Sequence, residues 1–363
     1  MIRHKGIFCI ILSLGILSVL LTSCGGVKPV QLDEATNAKR PLEQRVRLLF
    51  VGDAMCHLPQ VRSAYSADGT LNFRNSFAGV KSYFDDADIA VVNLETTISP
   101  NKRYSGYPAF ASPVEYAEAL QWLGADAVML ANNHCCDRGA EGIRTTIAKL
   151  DSLGMAYTGV GCQGEDATPN RTLRLERNGI KFAFLNYTYG TNGNPVPKGY
   201  SVNLIDTTKM VNDIRLACEW ADCVVAYMHW GNEYERQPSR TQRRLAQFLH
   251  RNGVGIVIGS HPHVVQPIVA TDEQITLYSL GNFVSNQQWR YSDGGIIAEI
   301  EVVKRSDSLC RYALKTVPVW VKCPGHKIIA PDTTAIKILS ASQRELYNRF
   351  VDDTAQHLEG GVK

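Results

Sequence analysis

Short runs of apolar residues recur along the chain, and each is followed by a polar loop and then by a segment with helical periodicity. Continuous apolar runs are typical of strands that are buried on both faces. The strands predicted in this way lie at 47–51, 89–92, 127–130, 223–228 and 254–258. The helical patterns lie at 113–123, 138–153, 207–220 and 239–252. This alternation predicts an α/β domain with a mainly parallel sheet covered on both faces.

Two hairpin-like sections interrupt the alternation. The first, at 172–186, has two β-rich runs on either side of Asn178-Gly179, a dipeptide that favours a tight turn. The second, at 274–303, ends in a run with strict alternation at 296–303. A further strand at 309–321 and a closing helix at 333–356 complete the prediction. The additional strands indicate a second layer of sheet.

The first part of the chain has a different pattern. Arg3 and Lys5 precede an almost entirely apolar run from Gly6 to Leu21, which ends at Leu21-Thr22-Ser23-Cys24. Such a run is typical of a secretory signal, and the residues before Cys24 resemble a bacterial lipobox, in which the cysteine carries a lipid. An uncleaved membrane anchor is the alternative, although a spanning helix needs about 20 apolar residues. Both place the remainder outside the cytoplasm, on the periplasmic side or the cell surface.

These patterns divide the chain into four parts. We expect a lipoprotein signal peptide at 1–23, a tether at 24–45, an exported domain at 46–330, and a C-terminal helix at 331–363 that packs on this domain. The lipid on Cys24 would hold the protein at the membrane.

Composition excludes some classes of function. The chain has 363 residues, of which 45% are hydrophobic and 20% charged, and its formal net charge is +3. No basic stripe is present, so we expect no binding to nucleic acid. No Gly-x-x-x-x-Gly-Lys-Ser/Thr loop occurs, which excludes an ATP-driven ligase of the P-loop kind. The adjacent Cys135 and Cys136 are expected to be small buried residues, with a thiolate ligand as the alternative.

Residues with metal-binding chemistry follow all five predicted core strands. They are Asp53 with His57, Glu95, Asn133 and His134 with Asp137, His229 with Glu233, and His261 with His263. Because the carboxyl ends of parallel strands lie along one edge of a sheet, we expect these side chains to meet there. Carboxylate, amide and imidazole ligands without thiols favour a divalent transition metal such as Mn, Zn or Fe. The ligand count permits two ions about 3.5–4 Å apart.

Six motifs in register resemble the CapA family of bacterial capsule synthesis proteins, which are associated with poly-γ-glutamate. They are Gly52-Asp53, Asn93-Leu94-Glu95-Thr96, Asn132-Asn133-His134-x-x-Asp137-x-Gly139, His229-Trp230-Gly231-x-Glu233-Tyr234, Gly259-x-His261-Pro262-His263-Val264 and Ser279-Leu280-Gly281-Asn282-Phe283. The resemblance covers about residues 46–300. This family is similar in turn to the calcineurin-like metallophosphoesterases. The implied fold is an α/β two-sheet sandwich flanked by helices, with four layers in the order αββα.

The resemblance also implies a role for each matching residue. The metal ligands would be Asp53 and His263 for the first ion, Asn133, His229 and His261 for the second, and Glu95 as the bridge. His134 would contact the substrate or the leaving group. One position departs from the phosphoesterase pattern Asp-x-His, because Met55 stands where the histidine is expected. His57 is a candidate substitute for that ligand.

Several residues are candidates for a supporting or substrate-binding role. Asp137 either orients an imidazole or caps the following helix, and the cap is favoured. Glu233 is expected to face the cleft. Arg103 lies in a loop that would hold an anionic substrate, or that is a solvated basic loop. Ser279 and Asn282 either contact the site or form a turn.

Two functions are consistent with these residues. The first is a metal-dependent hydrolase of a phosphoester, or of an amide in a polyglutamate or peptidoglycan-like polymer, in which His134 assists the leaving group. The second is an accessory protein that binds or anchors an anionic envelope polymer without turnover. The set of ligands favours the first, and the missing histidine favours the second. In either case a polymer synthase complex is an expected partner.

Overall fold

The first sheet of the structure is built around β1 (Glu43–Ala54), which pairs in parallel with two strands and antiparallel with a third. The computed structural model describes residues 43–162, 172–306, 309–331 and 334–362. The predicted signal peptide, Cys24 and all but the last three residues of the predicted tether lie outside the described residues. Strand β1 includes those last three residues of the segment assigned to the tether.

Eight strands form this first sheet. Their order is β18 (Lys327–Ile329), β17 (Arg311–Lys322), β16 (Gly294–Arg305), β1, β2 (Ile89–Leu94), β5 (Ala127–Met129) and β6 (Ala156–Thr158), with β15 (Asn282–Val284) also paired to β1. The second sheet has six strands, in the order β13 (Ile268–Ala270), β14 (Ile275–Leu277), β12 (Ile256–Ser260), β11 (Cys223–His229), β9 (Ile180–Thr188) and β8 (Thr172–Arg177). Two short pairs complete the strands: β3 (Ile98–Ser99) with β4 (Ser112–Pro113), and β7 (Val160–Cys162) with β10 (Tyr200–Val202).

Eight α-helices accompany the strands in the described part of the chain. They are α1 (Leu58–Ala64), α2 (Arg74–Phe77), α3 (Lys81–Asp85), α4 (Val114–Leu123), α5 (Gly139–Leu153), α6 (Thr207–Trp220), α7 (Arg240–Arg251) and α8 (Ala341–Glu359). Short 3₁₀ helices lie at Ala78–Val80 and Thr334–Ile338. No helix in the described ranges is long and apolar enough to cross a bilayer.

The hydrophobic core shows that these elements form four layers. Along β1, Leu48 and Phe50 belong to the cluster between the two sheets, whereas Leu49 and Val51 belong to the cluster under α1–α5. This alternation follows from the two-residue period of a strand that is covered on both faces. A third cluster joins the outer face of the second sheet to α6 and α7. The predicted αββα sandwich is therefore confirmed.

The five core strands were predicted to lie in a single sheet with their carboxyl ends along one edge, but the structure divides them between two sheets. The first three predicted core strands (β1, β2, β5) lie in the first sheet, and the last two (β11, β12) lie in the second. The alternating run at 296–303 is part of β16 and pairs with β1 rather than lying in a second layer. An apolar run shows that a strand is buried on both faces, but it carries no information about its neighbours.

Nevertheless, the carboxyl ends of the core strands in both sheets reach one region. The phenol of Tyr227 in β11 donates a hydrogen bond to the Val51 carbonyl of β1 (2.8 Å), which fixes the two sheets to each other beside the predicted site. Beyond this contact, Asp53 near the end of β1 and His229 at the end of β11 lie close together, with potential ligand atoms within 4.8 Å of each other. The candidate ligand side chains therefore come from the edges of two sheets, although the sequence predicted that they come from the edge of one.

The C-terminal helix begins later than predicted. Ser340 caps α8 and accepts a hydrogen bond from the backbone N–H of Gln343, in a capping box. Tyr347 and Phe350 pack against Trp320 of β17, outside the main core clusters.

Candidate metal centre

Two groups of buried side chains share Glu95. One contains Glu95, His261 and His263, and the other contains Asp53, Glu95 and His229. In each group the potential ligand atoms all lie within 4.8 Å of one another. The five residues are at most 3% exposed. Each group is therefore able to bind a metal ion.

The carboxylate of Glu95 is the strongest indication of a cation. Neither of its oxygens has a hydrogen-bond partner among the described residues, although the side chain is fully buried. Its Oε1 lies 3.7 Å from His229 Nε2 and 3.9 Å from His263 Nε2. Burial and the nearby charge of Asp53 raise the pKa of Glu95 well above its usual value. A buried carboxylate without partners is unfavourable, and a bound cation would compensate its charge. The donor set and the unpartnered oxygens thus fit a metal site.

Asp53 is held by several donors at the end of β1. Asn93 Nδ2 donates to Asp53 Oδ1 (2.8 Å), and His263 Nδ1 lies 3.0 Å from Asp53 Oδ2. Burial alone would raise the pKa of Asp53, but the hydrogen bond and the charge of His263 outweigh burial and lower it. Asn93 was not among the predicted site residues. Its signal in the sequence is its spacing, because residues two apart on a strand face the same side, and Asn93 precedes Glu95 by two.

His229 and Asn133 approach each other from different sheets. His229 Nε2 lies 2.9 Å from Asn133 Oδ1, and His229 Nδ1 lies 3.0 Å from Ser260 Oγ. Adjacent ligand atoms around a transition metal are about 3 Å apart when the metal–ligand bonds are about 2.0–2.1 Å. Burial and the neighbouring histidines lower the pKa of His229 well below its usual value. This favours the neutral imidazole, which is the form that binds metals.

The loop after β12 presents two imidazoles from a strained backbone. His261 has φ +94° and His263 has φ +58°, in the left-handed region that residues other than glycine rarely adopt. His261 Nδ1 is buried and has no hydrogen-bond partner in the described ranges, and burial lowers the pKa of His261 to about 3. Backbone strain of this kind persists where the surrounding structure enforces it, and it is common at functional sites.

His263 is oriented by two oxygens. Its Nδ1 lies 3.0 Å from Asp53 Oδ2 and 3.1 Å from Asn282 Oδ1, so Nδ1 carries the hydrogen and Nε2 is left for a ligand. The groups defined by distance place Asp53 with His229, whereas the family resemblance implied Asp53 with His263.

His134 lies beside the ligand groups and has its own carboxylate. Its Nδ1 is 2.8 Å from Asp137 Oδ2, and both side chains are buried. The same Asp137 oxygen accepts from the backbone N–H of Phe110 (2.7 Å), whose ring contacts the His134 ring edge-on. The N-cap of α5 is Arg138, so the favoured interpretation of Asp137 as a helix cap is wrong. Asp137 instead fixes the ring of His134.

His57 does not belong to either group of ligands found in the described residues. It is the N-cap of α1, and its Nδ1 lies 3.1 Å from Gln60 Oε1 and accepts from the Asn286 N–H (3.3 Å). Burial lowers the pKa of His57 to about 4. Met55, at the position of the expected histidine, is buried. The geometry therefore offers no direct substitute for that ligand at His57.

The remaining candidates differ in their distance from the site. Asn282 holds His263, as described, and donates to Gln287 Oε1 (2.9 Å). Ser279 Oγ accepts from the Gly281 N–H (3.2 Å), which is the turn expected as the alternative. Glu233 is exposed, and its charge raises the pKa of Glu95, so it lies within electrostatic range of the centre. Arg103 is on an exposed loop, where its backbone N–H bonds to Asn101.

The adjacent cysteines are small buried residues, as expected, and not ligands of either group in the described ranges. Cys135 and Cys136 are buried, their sulfurs are 3.9 Å apart, and both belong to the core cluster under α1–α5. They are not members of the ligand groups found in the described part of the chain.

Comparison with known proteins agrees with the fold. A solved structure described as a novel phosphatase from Mycoplasma pneumoniae superposes with a TM-score of 0.50 over 78% of this chain and 97% of its own, at 14% identity, a likeness that shows the fold. The molecule is thus an α/β sandwich of two sheets flanked by helices, with a buried Asp/Glu/His cluster. Residues 47–287 match the family model described as bacterial capsule synthesis protein PGA_cap, and the chain belongs to this family.

Two relatives cover most of the chain. The chain is 28% identical to the PGA biosynthesis protein CapA of Bacillus subtilis, over 76% of this chain and 72% of the relative. It is 27% identical to the capsule biosynthesis protein CapA of Bacillus anthracis, over 89% of this chain and 78% of the relative. The predicted resemblance to the CapA family is confirmed.

Proposed function

We propose that this protein is a metal-dependent hydrolase of the phosphoesterase type that acts in the biosynthesis of a capsule or poly-γ-glutamate-type polymer. The observation that carries the proposal is the buried, unpartnered carboxylate of Glu95 between His229 and His263. Membership of the capsule synthesis family supplies the biological setting. The substrate would be a phosphoester or an anionic polymer.

The ligands available suit two ions of Mn, Zn or Fe. Asp53, Glu95, Asn133, His229, His261 and His263 would hold them. Bound divalent metal would polarise a phosphoryl or carbonyl group and activate water there. The neutral imidazoles of His229 and His261, favoured by burial, are ready to act as ligands at neutral pH. The chain itself supplies orientation, through the hydrogen bond that Asn93 donates to Asp53 and the one that Asn282 accepts from His263.

His134 would serve the chemistry without binding metal. Its Nδ1 is fixed by Asp137, so its Nε2 is the atom that can donate a proton to a leaving group or a hydrogen bond to developing charge. Because His134 directly follows the proposed ligand Asn133 in the chain, its ring would lie beside the ions and would face the substrate.

The test separates ligands from the catalytic residue. His261→Ala and Glu95→Ala are expected to lose bound metal while retaining the fold, as measured by elemental analysis and circular dichroism. His134→Ala is expected to retain metal and lose hydrolysis of an aryl phosphodiester by about 10²–10⁴-fold. His250→Gln is a matched control, since His250 bonds to Val254 and Thr276 outside the ligand groups. Metal content equal to wild type in Glu95→Ala would contradict the site.

A non-catalytic role is the second candidate, and Met55 at the position of the expected histidine ligand favours it. In this case the protein would bind or anchor an anionic envelope polymer. Metal-replete wild-type protein without turnover, together with normal polymer length in cells carrying His134→Ala, would support it against the hydrolase.

Location and partners complete the proposal. The lipobox-like residues before Cys24 support an exported lipoprotein, held at the membrane by its lipid. A polymer synthase complex would supply the energy that this chain has no P-loop to provide.

A further inference from the structure

Four aromatic side chains with large exposed fractions lie around the candidate metal centre. They are Tyr107 (73% exposed), Tyr189 (47%), Tyr234 (43%) and Trp289 (53%), and we call them the aromatic rim. The Tyr189 ring centroid is 4.6 Å from that of His261, and the Tyr234 centroid is 6.1 Å from that of His263. Tyr234 in turn meets the Trp289 ring edge-on at 5.4 Å, and Tyr107 interacts electrostatically with Tyr234.

The rim is assembled from separate loops and is held in place. Tyr107 lies between β3 and β4, and the other three residues follow β9, β11 and β15. Tyr234 has φ +65°, an unfavourable conformation for an aromatic residue, and its backbone N–H donates to the Pro262 carbonyl (2.8 Å). Gln287 Nε2 donates to its phenol (3.2 Å). Exposed aromatic surface fixed in this way beside a cluster of buried polar side chains is typical of a ligand site.

The charge around the rim differs from that around other surface aromatics. Trp122, Trp220 and Tyr291 are each covered by two basic side chains, whereas no Lys or Arg in the described ranges lies over a rim ring. Two carboxylates lie within electrostatic range of both Tyr189 and Tyr234: that of Glu95 in the candidate centre and, outside it, that of the exposed Glu233. A polyanion would be repelled by this carboxylate and would find no cation on the rings. The rim is better suited to a neutral group that carries hydroxyls.

We propose that the aromatic rim binds a hexose ring, so that the ester presented to the centre is a sugar phosphate. This inference rests on the proposed hydrolase function, because it assigns the phosphate to the buried ligand groups. The C–H face of a pyranose packs on an aromatic ring, which is apolar on its faces. Its hydroxyls need donors and acceptors, and the side chains of Glu233 and Asn192 provide them at the rim. Asn192 Oδ1, for example, lies 3.4 Å from the Tyr189 phenol.

The experiment compares two phosphates that differ in the sugar ring. Binding of glucose 1-phosphate and of glycerol 3-phosphate to the metal-loaded protein is measured by calorimetry. Wild type is expected to bind glucose 1-phosphate at least about tenfold more tightly, which corresponds to about 1.4 kcal/mol. The double variant Tyr189→Ala/Trp289→Ala should lose this preference and keep its affinity for glycerol 3-phosphate. Tyr189→Phe should retain the preference, since the ring face remains.

Trp220→Ala is the matched control. Trp220 ends α6, immediately before β11 begins, and is therefore at the opposite end of that strand from His229. Its substitution should leave both affinities unchanged. Equal affinity of wild type for the two phosphates would overturn the inference, as would tighter binding of adenosine monophosphate or of a γ-glutamyl peptide that is lost in the double variant.

Hydrolysis of p-nitrophenyl phosphate by the same preparations distinguishes this inference from the proposed function. Turnover without a preference for glucose 1-phosphate overturns the hexose site and leaves the hydrolase. A preference that depends on the rim, in protein without turnover, supports the hexose site and removes the hydrolase.

Discussion

At the scale of single residues, Glu95 carries a carboxylate into a fully buried position where neither oxygen finds a hydrogen bond from the described residues. An unpaired buried charge costs several kcal/mol, and a group in this position tends to take up a proton instead. Burial and Asp53 accordingly raise its pKa well above the usual value. The buried carboxylate of Glu95 therefore lowers the stability of the metal-free protein.

We expect Glu95→Gln to stabilise the metal-free protein, and to do so more strongly as the pH rises. Because the folded-state pKa of Glu95 is raised, its contribution to stability is fully present below the ordinary value of 4.5 and is lost as the pH rises toward the folded-state pKa. Glutamine does not ionise and removes this loss. Thermal unfolding with a chelator at about pH 5 and about pH 8 should show a larger gain for the variant at the higher pH.

Added Mn²⁺ should make the wild type more stable than Glu95→Gln, which reverses the order of stability expected without metal. Wild type is expected to gain about 2.7 kcal/mol at a hundredfold excess of metal over its Kd, whereas Glu95→Gln should gain little. Glu118→Gln serves as the control, because Glu118 pairs with Lys149 and is half-exposed. An equal metal-dependent gain in Glu95→Gln would show that Glu95 is not a ligand.

Asp137 gives a second test at this scale. Asp137→Asn keeps the size of the side chain but weakens the hydrogen bond that orients His134 Nδ1. Hydrolysis should therefore fall about 10–100-fold, while the metal content stays unchanged. Asp352→Asn, at an exposed position of α8, should have no effect. Loss of metal in Asp137→Asn would instead place His134 among the ligands.

The sequence did not distinguish the two roles of Asp137, because a residue just before a helix satisfies both. Spacing shows that Asp137 lies three residues after His134 and next to the start of α5, and both a cap and a partner for the imidazole fit that position. The role of Asp137 is decided by a contact with a distant loop, where the backbone N–H of Phe110 donates a hydrogen bond to its carboxylate. Such a contact is not visible in local sequence.

At the scale of elements, the apolar runs predicted the positions of strands and helices well. Helix α6 was predicted at 207–220 and spans Thr207–Trp220, and the hairpin around Asn178-Gly179 forms β8 and β9. The allocation of β11 and β12 to a separate sheet was not predicted, because strands buried on both faces look alike in either sheet. The hairpin-like sections predicted a second layer of sheet, but which core strands belong to it could not be read from the apolar runs.

Gly259 in β12 shows how closely the second sheet is packed behind the site. A Cβ atom there would lie 1.9 Å from the Tyr278 carbonyl oxygen and 2.6 Å from Trp230 Nε1, which donates to that same oxygen. We expect Gly259→Ala to destabilise the protein by about 1–3 kcal/mol or more, and to weaken metal binding by displacing the His261 loop.

Gly190→Ala is the matched control for this substitution. Its backbone is not in the left-handed region, and a Cβ there would have no neighbour within 4 Å. Chemical denaturation and metal titration of both variants test the prediction. If Gly259→Ala unfolded at the same denaturant concentration as Gly190→Ala, this result would contradict the close packing described around Gly259.

At the scale of the whole molecule, the convergence of six motifs predicted the groups of potential ligands, whereas Tyr189 and Trp289 of the aromatic rim were not predicted. The histidines and carboxylates are recognisable because their chemistry is rare and they follow strand ends. Tyr189 and Trp289 have no such signature, since tyrosine and tryptophan occur equally in cores and on surfaces. Their exposure beside His261 and Tyr234 depends on loops from both sheets.

The location of the protein gives the last prediction. Leu21-Thr22-Ser23-Cys24 follows an apolar run with basic residues before it, so Cys24 is expected to be lipidated and to become the first residue after processing. Cys24→Ala should therefore accumulate as an unprocessed precursor, and the wild type should fractionate with membranes until its first residues are removed. Cys218→Ala is the control, because Cys218 is an exposed free cysteine of the folded domain and its loss should leave processing unchanged. A lipid adds about 0.8 kcal/mol of membrane affinity per buried CH₂ group, so a Cys24 that carries more than one acyl chain is sufficient for stable anchoring. Mass spectrometry that found an unmodified Cys24 in mature wild-type protein would remove the lipoprotein from the proposal and leave the metal centre unaffected.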